Sequence, residues 1–246
     1  MIKVLRDWRE IGQACLYFAQ EGLPRHTSCE KTWDLYNLCV LLRSLPRHSR
    51  LIDLGCGGLC CLRLAWAMGF SDLYGVDLKI TWRERLSQLS RMWRGKTLRP
   101  PFALRRMDIS RLKFSDATFD IAVSISTIEH GVDLPRFFGE ASRVLKRDGL
   151  LFVTTDYWDE RIPVDNSFRA FGKPWSIFDR EDVIGMLRIA ADAGLSLIDP
   201  ARVRLECGER CVGWGGKQYT FINLVFRKGV EVRAEPLQVE LMENSR

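Results

Sequence analysis

The sequence predicts an α/β fold, a largely parallel sheet with helices on both faces. Three observations carry that expectation. From Leu51 onward, short apolar runs of strand length alternate with stretches of helical periodicity. The run LIDL ends in the glycine turn of LIDLGCGG and leads into a further apolar segment. Polar residues then recur at successive strand ends: Asp53 and Gly55, Asp77, Asp108, the stretch from Ser124 to His130, and Asp156. In an open parallel sheet the ligand crevice lies outside those C-terminal strand ends, where the strand order reverses.

Each element follows from local signals. Thr27 or Ser28 can cap a helix carrying Trp33, Leu35, Tyr36, Leu38, Val40 and Leu41, which must end before Pro46. Residues 51–54 form the first buried strand, 59–68 the helix after it, and 73–76 a second strand ending at Asp77. A short third strand is expected over 102–104 and a fourth over 119–125, after a turn containing Asp116. Residues 134–145 are helical, and Asp148-Gly149 turns the chain into a fifth strand over 150–154. A helix over 179–193 stops at Gly194, and 195–198 and 219–226 read as the final strands. The chain thus divides into an N-terminal extension (1–26), one main domain (27–228) and a C-terminal tail (229–246).

Composition sets the limits. A chain of 246 residues, 46% hydrophobic and 28% charged, suits one α/β domain with decorations. No apolar run approaches the roughly 18 residues that span a bilayer. Charges in MIKVLRDWREIGQ stand where a signal peptide needs an apolar core. Eight irregularly spaced cysteines, Cys60 and Cys61 adjacent, do not form an extracellular disulfide pattern, so a cytoplasmic protein with reduced thiols is expected. Cys207 and Cys211 supply two ligands where structural zinc takes four, so no metal is expected.

The glycine turn carries the chemistry. Glycines let the backbone turn sharply and approach a ligand without a Cβ in the way. Asp53, two residues before Gly55, selects the ligand. A phosphate-binding turn relies on the positive end of a helix, and a carboxylate there would repel its ligand. A carboxylate suits instead an ammonium or sulfonium centre.

These segments resemble the class I S-adenosylmethionine-dependent methyltransferases, of the small-molecule and glycan kind known as methyltransferase type 11. The resemblance runs from about Trp33 to Lys228. LIDLGCGG resembles the family's first motif, and YGVDLK, with Asp77 twenty residues after Gly57, its second. RMDISRLKFSDATFDIAVSISTIEHG resembles the adenine-contact and post-fourth-strand segments, and ASRVLKRDGLLFVTT the fifth-strand segment. The resemblance implies a Rossmann-like, doubly wound sheet of seven strands, mostly parallel with an antiparallel last strand. It implies S-adenosylmethionine as cofactor. Gly55, Cys56 and Gly57 would cradle the methionine moiety and Asp53 would favour its ammonium. Asp77 would accept from both ribose hydroxyls, and Asp108 from the adenine amino group beside the Ile109 backbone. Leu78 and Ile125, with Ser124 at the same strand end, would line the adenine and the methionine arm. The third glycine often found in the first motif falls at Leu59. Cys60 stands at the third glycine of the competing dinucleotide fingerprint, a nicotinamide-dependent reading that Asp53 and the lack of a second, substrate-holding domain oppose.

For the acceptor, His130 is the candidate base and Glu129 its neighbour, at the end of the fourth strand. The plainer alternative is that His130 packs the loop. Some ubiquinone-pathway O-methyltransferases carry a further Glu before a similar Glu-His pair; here that position is Ser126, against a metal-assisted route. The segment 156–178, with Tyr157, Trp158, Phe168, Phe171, Trp175 and Phe178, suits either an aromatic lid with Asp156 and Arg169 as anchors or a satellite core under a long loop.

The stretch 79–107 is a basic insert. It holds nine Lys and Arg against Glu84 alone, a net +8 that leaves the rest of the +6 chain at −2. Trp82, Leu86, Leu89 and Trp93 form one stripe of an amphipathic helix. Its arginine face suits solvent, a phosphate-bearing acceptor, an anionic membrane surface or RNA, the last with a steep salt dependence. The overall expectation is methyl transfer to a small-molecule or glycan hydroxyl, in cell-surface polysaccharide or secondary metabolism. STIEHG and FGKPWSIFDRED resemble methyltransferases of polysaccharide and glycolipid gene clusters. An RNA methyltransferase and a catalytically silent S-adenosylmethionine-binding module are the alternatives, with nucleic acid the less expected partner.

Overall fold

The computed structural model describes residues 1–82, 84, 101–165, 167–200 and 203–229. In chain order it contains β1 (Ile2–Val4), α1 (Trp8–Gln20), α2 (Cys29–Arg43), β2 (Leu51–Leu54), α3 (Cys60–Ala67), β3 (Leu73–Asp77) and β4 (Ala103–Arg106). There follow β5 (Phe119–Ile125), α4 (Leu134–Val144), β6 (Leu145–Tyr157), α5 (Arg180–Asp192), β7 (Leu195–Leu197), β8 (Val212–Trp214) and β9 (Lys217–Lys228).

β2 is buried along its whole length because it has a parallel neighbour on each side, β3 and β5. β4 extends the sheet beyond β3, and β6 beyond β5, again in parallel. The resulting order is β4-β3-β2-β5-β6-β9-β1. Strand order therefore reverses between β2 and β5, which opens the crevice at their C-terminal ends. β9 runs antiparallel to β6, from Leu150 opposite Arg227 to Tyr157 opposite Thr220.

Among the described residues the sheet has nine strands, against an expected seven. β9 accounts for the difference. Its outer edge is covered end to end by three short antiparallel strands: β7 on Phe226–Lys228, β1 on Ile222–Leu224 and β8 on Lys217–Tyr219. Left bare, that edge would present unpaired backbone groups. Residues 1–26, read from the sequence as an extension, supply β1 and α1.

Helix starts follow the expected chemistry. Asp7 accepts from the Arg9 and Glu10 amides, Asp133 from Arg136, and Asp179 forms a capping box with Asp182. Ser28 does stand at the cap of α2, but its hydroxyl donates to Glu30 and accepts no amide of the helix.

Apolar residues pack on both faces of the sheet. Phe137, Phe138, Val183 and Met186 of α4 and α5 meet Val153 and Phe226 on one side. Leu38 and Leu42 of α2 and Leu62 of α3 meet Leu51, Ile121 and Phe152 on the other. A third cluster gathers Leu5, Trp33, Trp175, Tyr219 and Phe221, with Trp158 and Phe168 against it. Of the aromatic segment, Trp158, Phe168 and Trp175 are therefore satellite core, Tyr157 and Phe178 join the main core, and Phe171 is 81% exposed. The amphipathic stripe of the basic insert, beyond Trp82, and the tail after Gly229 lie outside the described residues. Among the described residues no helix is long and apolar enough to cross a membrane.

Candidate active site

The turn after β2 is folded onto β3: the amides of Gly55 and Cys56 both donate to the Val76 carbonyl, at 2.8 and 3.0 Å. Gly55 needs to be glycine on two counts. Its φ is +93°, and a Cβ there would run into the Thr127 side chain. Leu59, in the place of the third glycine, also adopts a left-handed backbone, at φ 59°. That costs roughly 1–2 kcal/mol, but the Leu59 side chain is buried in the core against α3. Burying a leucine contributes about 1.5–3 kcal/mol, enough to hold the conformation.

Asp53 is 2% exposed. Burial, then the Asp77 carboxylate, push it up to about 7, against a hydrogen bond with Cys61. Asp77 itself is half-buried at the end of β3, with one oxygen accepting the Lys79 amide at 2.9 Å. Its other oxygen faces the turn, 3.5 Å from where a Cβ on Gly57 would stand. Burial raises the Cys56 thiol far above its ordinary range, with Asp53 and Asp77 adding to it, so it stays neutral.

The Met107 amide donates to the Asp77 carbonyl at 3.0 Å, which brings the end of β4 beside Asp77. Asp108 is exposed just beyond, one oxygen accepting the Ser110 amide at 2.8 Å, and Ile109 is buried next to it. Leu78 is exposed, its carbonyl held by Arg106. Ile125 is half-buried at the end of β5. Ser124 is buried, and its hydroxyl donates to the Leu54 carbonyl at 3.1 Å. That hydroxyl stitches β5 to β2 inside the sheet.

Beyond β5 the chain turns at Ser126, φ 47°, and the His130 amide closes onto the Thr127 carbonyl. Glu129 is buried, with the Thr155 hydroxyl donating to it at 2.9 Å. Burial first, then the Asp156 charge, push Glu129 up to about 8; Lys31 opposes them. His130 is half-buried, edge-on to the Phe171 ring at 5.6 Å between centroids, and its Nδ1 has no hydrogen-bond partner among the described residues. Burial lowers its pKa despite Asp156, so the ring is neutral at neutral pH.

Two site residues escaped the sequence reading, Lys31 and Asp34 of α2. The Lys31 ammonium hydrogen-bonds Ser126, lies 3.7 Å from Asp34 and 3.8 Å from Asp156, and sits 3.6 Å from the centre of the Phe221 ring. Trp175 donates to the other Asp156 oxygen at 2.8 Å. Asp34 is fully buried, and burial raises it to about 7. A charged residue set between Trp33 and Leu35 in an apolar stripe was the available signal. Among the described residues no group of three or more His, Cys, Asp or Glu is arranged to hold a metal ion.

Comparison with known proteins fits this geometry. Residues 52–153 match the family model described as a methyltransferase domain. A malonyl-[acyl-carrier protein] O-methyltransferase of Geobacter sulfurreducens is 35% identical over 114 residues, 46% of this chain and 40% of that protein. The chain spans about two-fifths of the length of the curated relatives first matched. Among solved structures, the [4+2]-cyclase SpnF superposes with a TM-score of 0.60 at 21% identity, covering 90% of this chain and 97% of that one. A geranyl diphosphate methyltransferase in complex with S-adenosylmethionine superposes with a TM-score of 0.58 at 16% identity, covering 91% and 92%. The turn fits a cofactor with a cationic arm and a ribose: Asp77 stands over Gly57, and a second carboxylate, Asp53, is buried two residues before Gly55. Over residues 52–153 the chain carries a methyltransferase domain of the class I S-adenosylmethionine-dependent family.

Proposed function

We propose that the protein transfers a methyl group from S-adenosylmethionine to a hydroxyl of a small-molecule or glycan acceptor. One observation carries the acceptor end of this reading: a neutral His130 and a protonatable Glu129 stand together at the end of β5, one loop from the glycine turn. The sulfonium cofactor supplies an already activated methyl carbon, so the chain's own work is alignment, exclusion of water and removal of one proton. Gly55, Cys56 and Gly57 hold the methionine arm, with Asp53 answering its ammonium. Asp77 takes the ribose hydroxyls, and Asp108 and Ile109 the adenine, which Leu78 and Ile125 flank. Ser124 fixes the strand spacing beneath them. The half-buried, neutral His130 ring takes the proton from the acceptor hydroxyl as its oxygen bonds to the methyl carbon and the carbon–sulfur bond breaks.

The acceptor class rests on likeness. One curated relative is an O-methyltransferase and one structural neighbour is a geranyl diphosphate methyltransferase. The basic insert, net +8, suits a phosphate-bearing acceptor such as a nucleotide-sugar or lipid-linked glycan, and an anionic membrane surface beside it. A role in cell-surface polysaccharide or secondary metabolism, in the cytoplasm where the eight cysteines stay free, is the reading we adopt. A second reading is a cofactor-binding protein without methyl transfer, because a [4+2]-cyclase shares this fold and fold does not fix chemistry.

Calorimetric titration tests the cofactor: S-adenosylmethionine should bind and NAD should not. Label from methyl-tritiated cofactor should then appear in a hydroxylated acceptor from a panel of nucleotide-sugars and lipid-linked glycans. Tight binding without label in any acceptor favours the second reading. Turnover on RNA that falls steeply with salt would replace the small-molecule acceptor with nucleic acid.

A further inference from the structure

We infer that Lys31 is the positioning residue of the acceptor end, the cation that, among the described residues, keeps the Glu129–Asp156 carboxylate pair in place and able to hold negative charge. The inference rests on Glu129 and His130 working at that end. Its grounds are geometric. The Lys31 ammonium joins α2 to three other parts of the fold: Ser126 after β5 by a hydrogen bond, Asp156 of β6 at 3.8 Å, and the face of Phe221 of β9 at 3.6 Å. Asp34, one turn along α2, lies 3.7 Å away and is wholly buried, with Thr154 and the lysine itself as its polar neighbours. Asp156 is fixed on its other side by the Trp175 indole, which donates to Oδ2, and it also faces Tyr219 of β9.

Three carboxylates, Asp34, Glu129 and Asp156, therefore gather around one ammonium. The other titratable groups that face them are His26 beside the lysine, His130 in the loop and Tyr219 on β9, all neutral near pH 7. An opposite charge within about 4–6 Å favours an ionised carboxylate by about 1–3 pK units, so deleting the lysine charge should drive protons onto this cluster. Burial raises Asp34 and Glu129 even with Lys31 present, and the Lys31 charge holds both back.

The Trp175 indole N–H, bonded to Asp156, is a built-in reporter. Its resonance in the ¹⁵N-labelled full chain, assigned with Trp175→Phe, can be followed from pH 5 to pH 9 without cofactor or acceptor. In Lys31→Gln, which retains a donor for Ser126 but no charge, the midpoint should move up by about 1–3 pH units. In Lys31→Arg it should stay near wild type. A midpoint that is the same in wild type and Lys31→Gln would overturn the inference, even if the resonance itself moves, because a merely structural role shifts the signal at every pH. Since no acceptor is used, the titration stands or falls apart from methyl transfer: a shifted midpoint with no methylated product counts against the proposed function alone.

Discussion

Asp53 and His130 carry the two halves of the proposed chemistry, and each makes a prediction that a single substitution can check. Asp53 is buried beside a second carboxylate and pushed up to about 7. A cofactor ammonium favours its ionised form, so binding near neutral pH must expel a proton. S-adenosylmethionine should therefore bind more tightly as pH rises through about 7, with a calorimetric heat that depends on the buffer's ionisation enthalpy. Asp53→Asn should weaken binding about 10- to 100-fold, the worth of a charge-assisted hydrogen bond of about 1.5–3 kcal/mol, and should flatten the pH dependence. Unchanged affinity in a folded variant would remove Asp53 from the site. At the other end, His130→Ala should lower turnover by about 10²–10⁴ if the ring is the base, with cofactor affinity retained. Undiminished turnover would return His130 to loop packing against Phe171.

At the scale of elements, the turn after β2 is the most constrained piece of backbone. Gly55→Ala drives a Cβ into Thr127 at a φ of +93°, and should cost about 1–3 kcal/mol together with cofactor binding. Gly12, in the exposed face of α1, is the control: a Cβ there meets nothing within 4 Å. Gly12→Ala should stabilise by about 0.5–1 kcal/mol, and chemical denaturation of the two variants distinguishes a general glycine effect from the turn. The same contrast separates what was legible in the sequence from what was not. β2 and β5 were readable to the residue because each is a short apolar run bounded by turn residues. The edge strands β1 and β8 were not, since three residues carry no periodicity and owe their extended form to β9 alongside them. Asp53, Asp77 and Asp108 stood out because a parallel sheet delivers its strand ends to one crevice. Lys31 and Asp34 did not, because on a helix an i,i+3 charge pair has the look of an ordinary solvated pair. Only the docking of α2 over β6 and β9 brings them inside. Ser124 stood out by its place at the strand end, and its hydroxyl's bond to the Leu54 carbonyl became visible only once β5 lay beside β2.

Across the whole molecule, the buried carboxylates tie stability to pH. Asp34 and Asp53 rise to about 7 and Glu129 to about 8, each chiefly through burial. The unfolded chain ionises these groups near pH 4, while the folded protein retains their protons up to pH 7–8. Over that window the native state binds more protons, so each group's contribution is full below its unfolded pKa and is lost as pH rises through its folded value. A shift of this size corresponds to a few kcal/mol per group, at about 1.4 kcal/mol per unit. Opposing contributions come from the Met1 amino group, lowered to about 5 by burial, and from His26 and His130, also lowered by burial. These bind protons more readily when unfolded and so gain stability with rising pH. A comparison with Asp34→Asn/Asp53→Asn/Glu129→Gln cancels those terms, because they are common to both proteins. Measured by thermal unfolding without cofactor, the triple variant should gain on wild type steadily from pH 5 to pH 8, by several degrees. A difference that stays constant across that range would mean that the three carboxylates are already ionised in the folded protein at pH 5. Saturating S-adenosylmethionine should narrow the same gap from the Asp53 side: a cation beside that carboxylate makes its ionised form the stable one, so cofactor should raise the wild-type midpoint more at pH 8 than at pH 6.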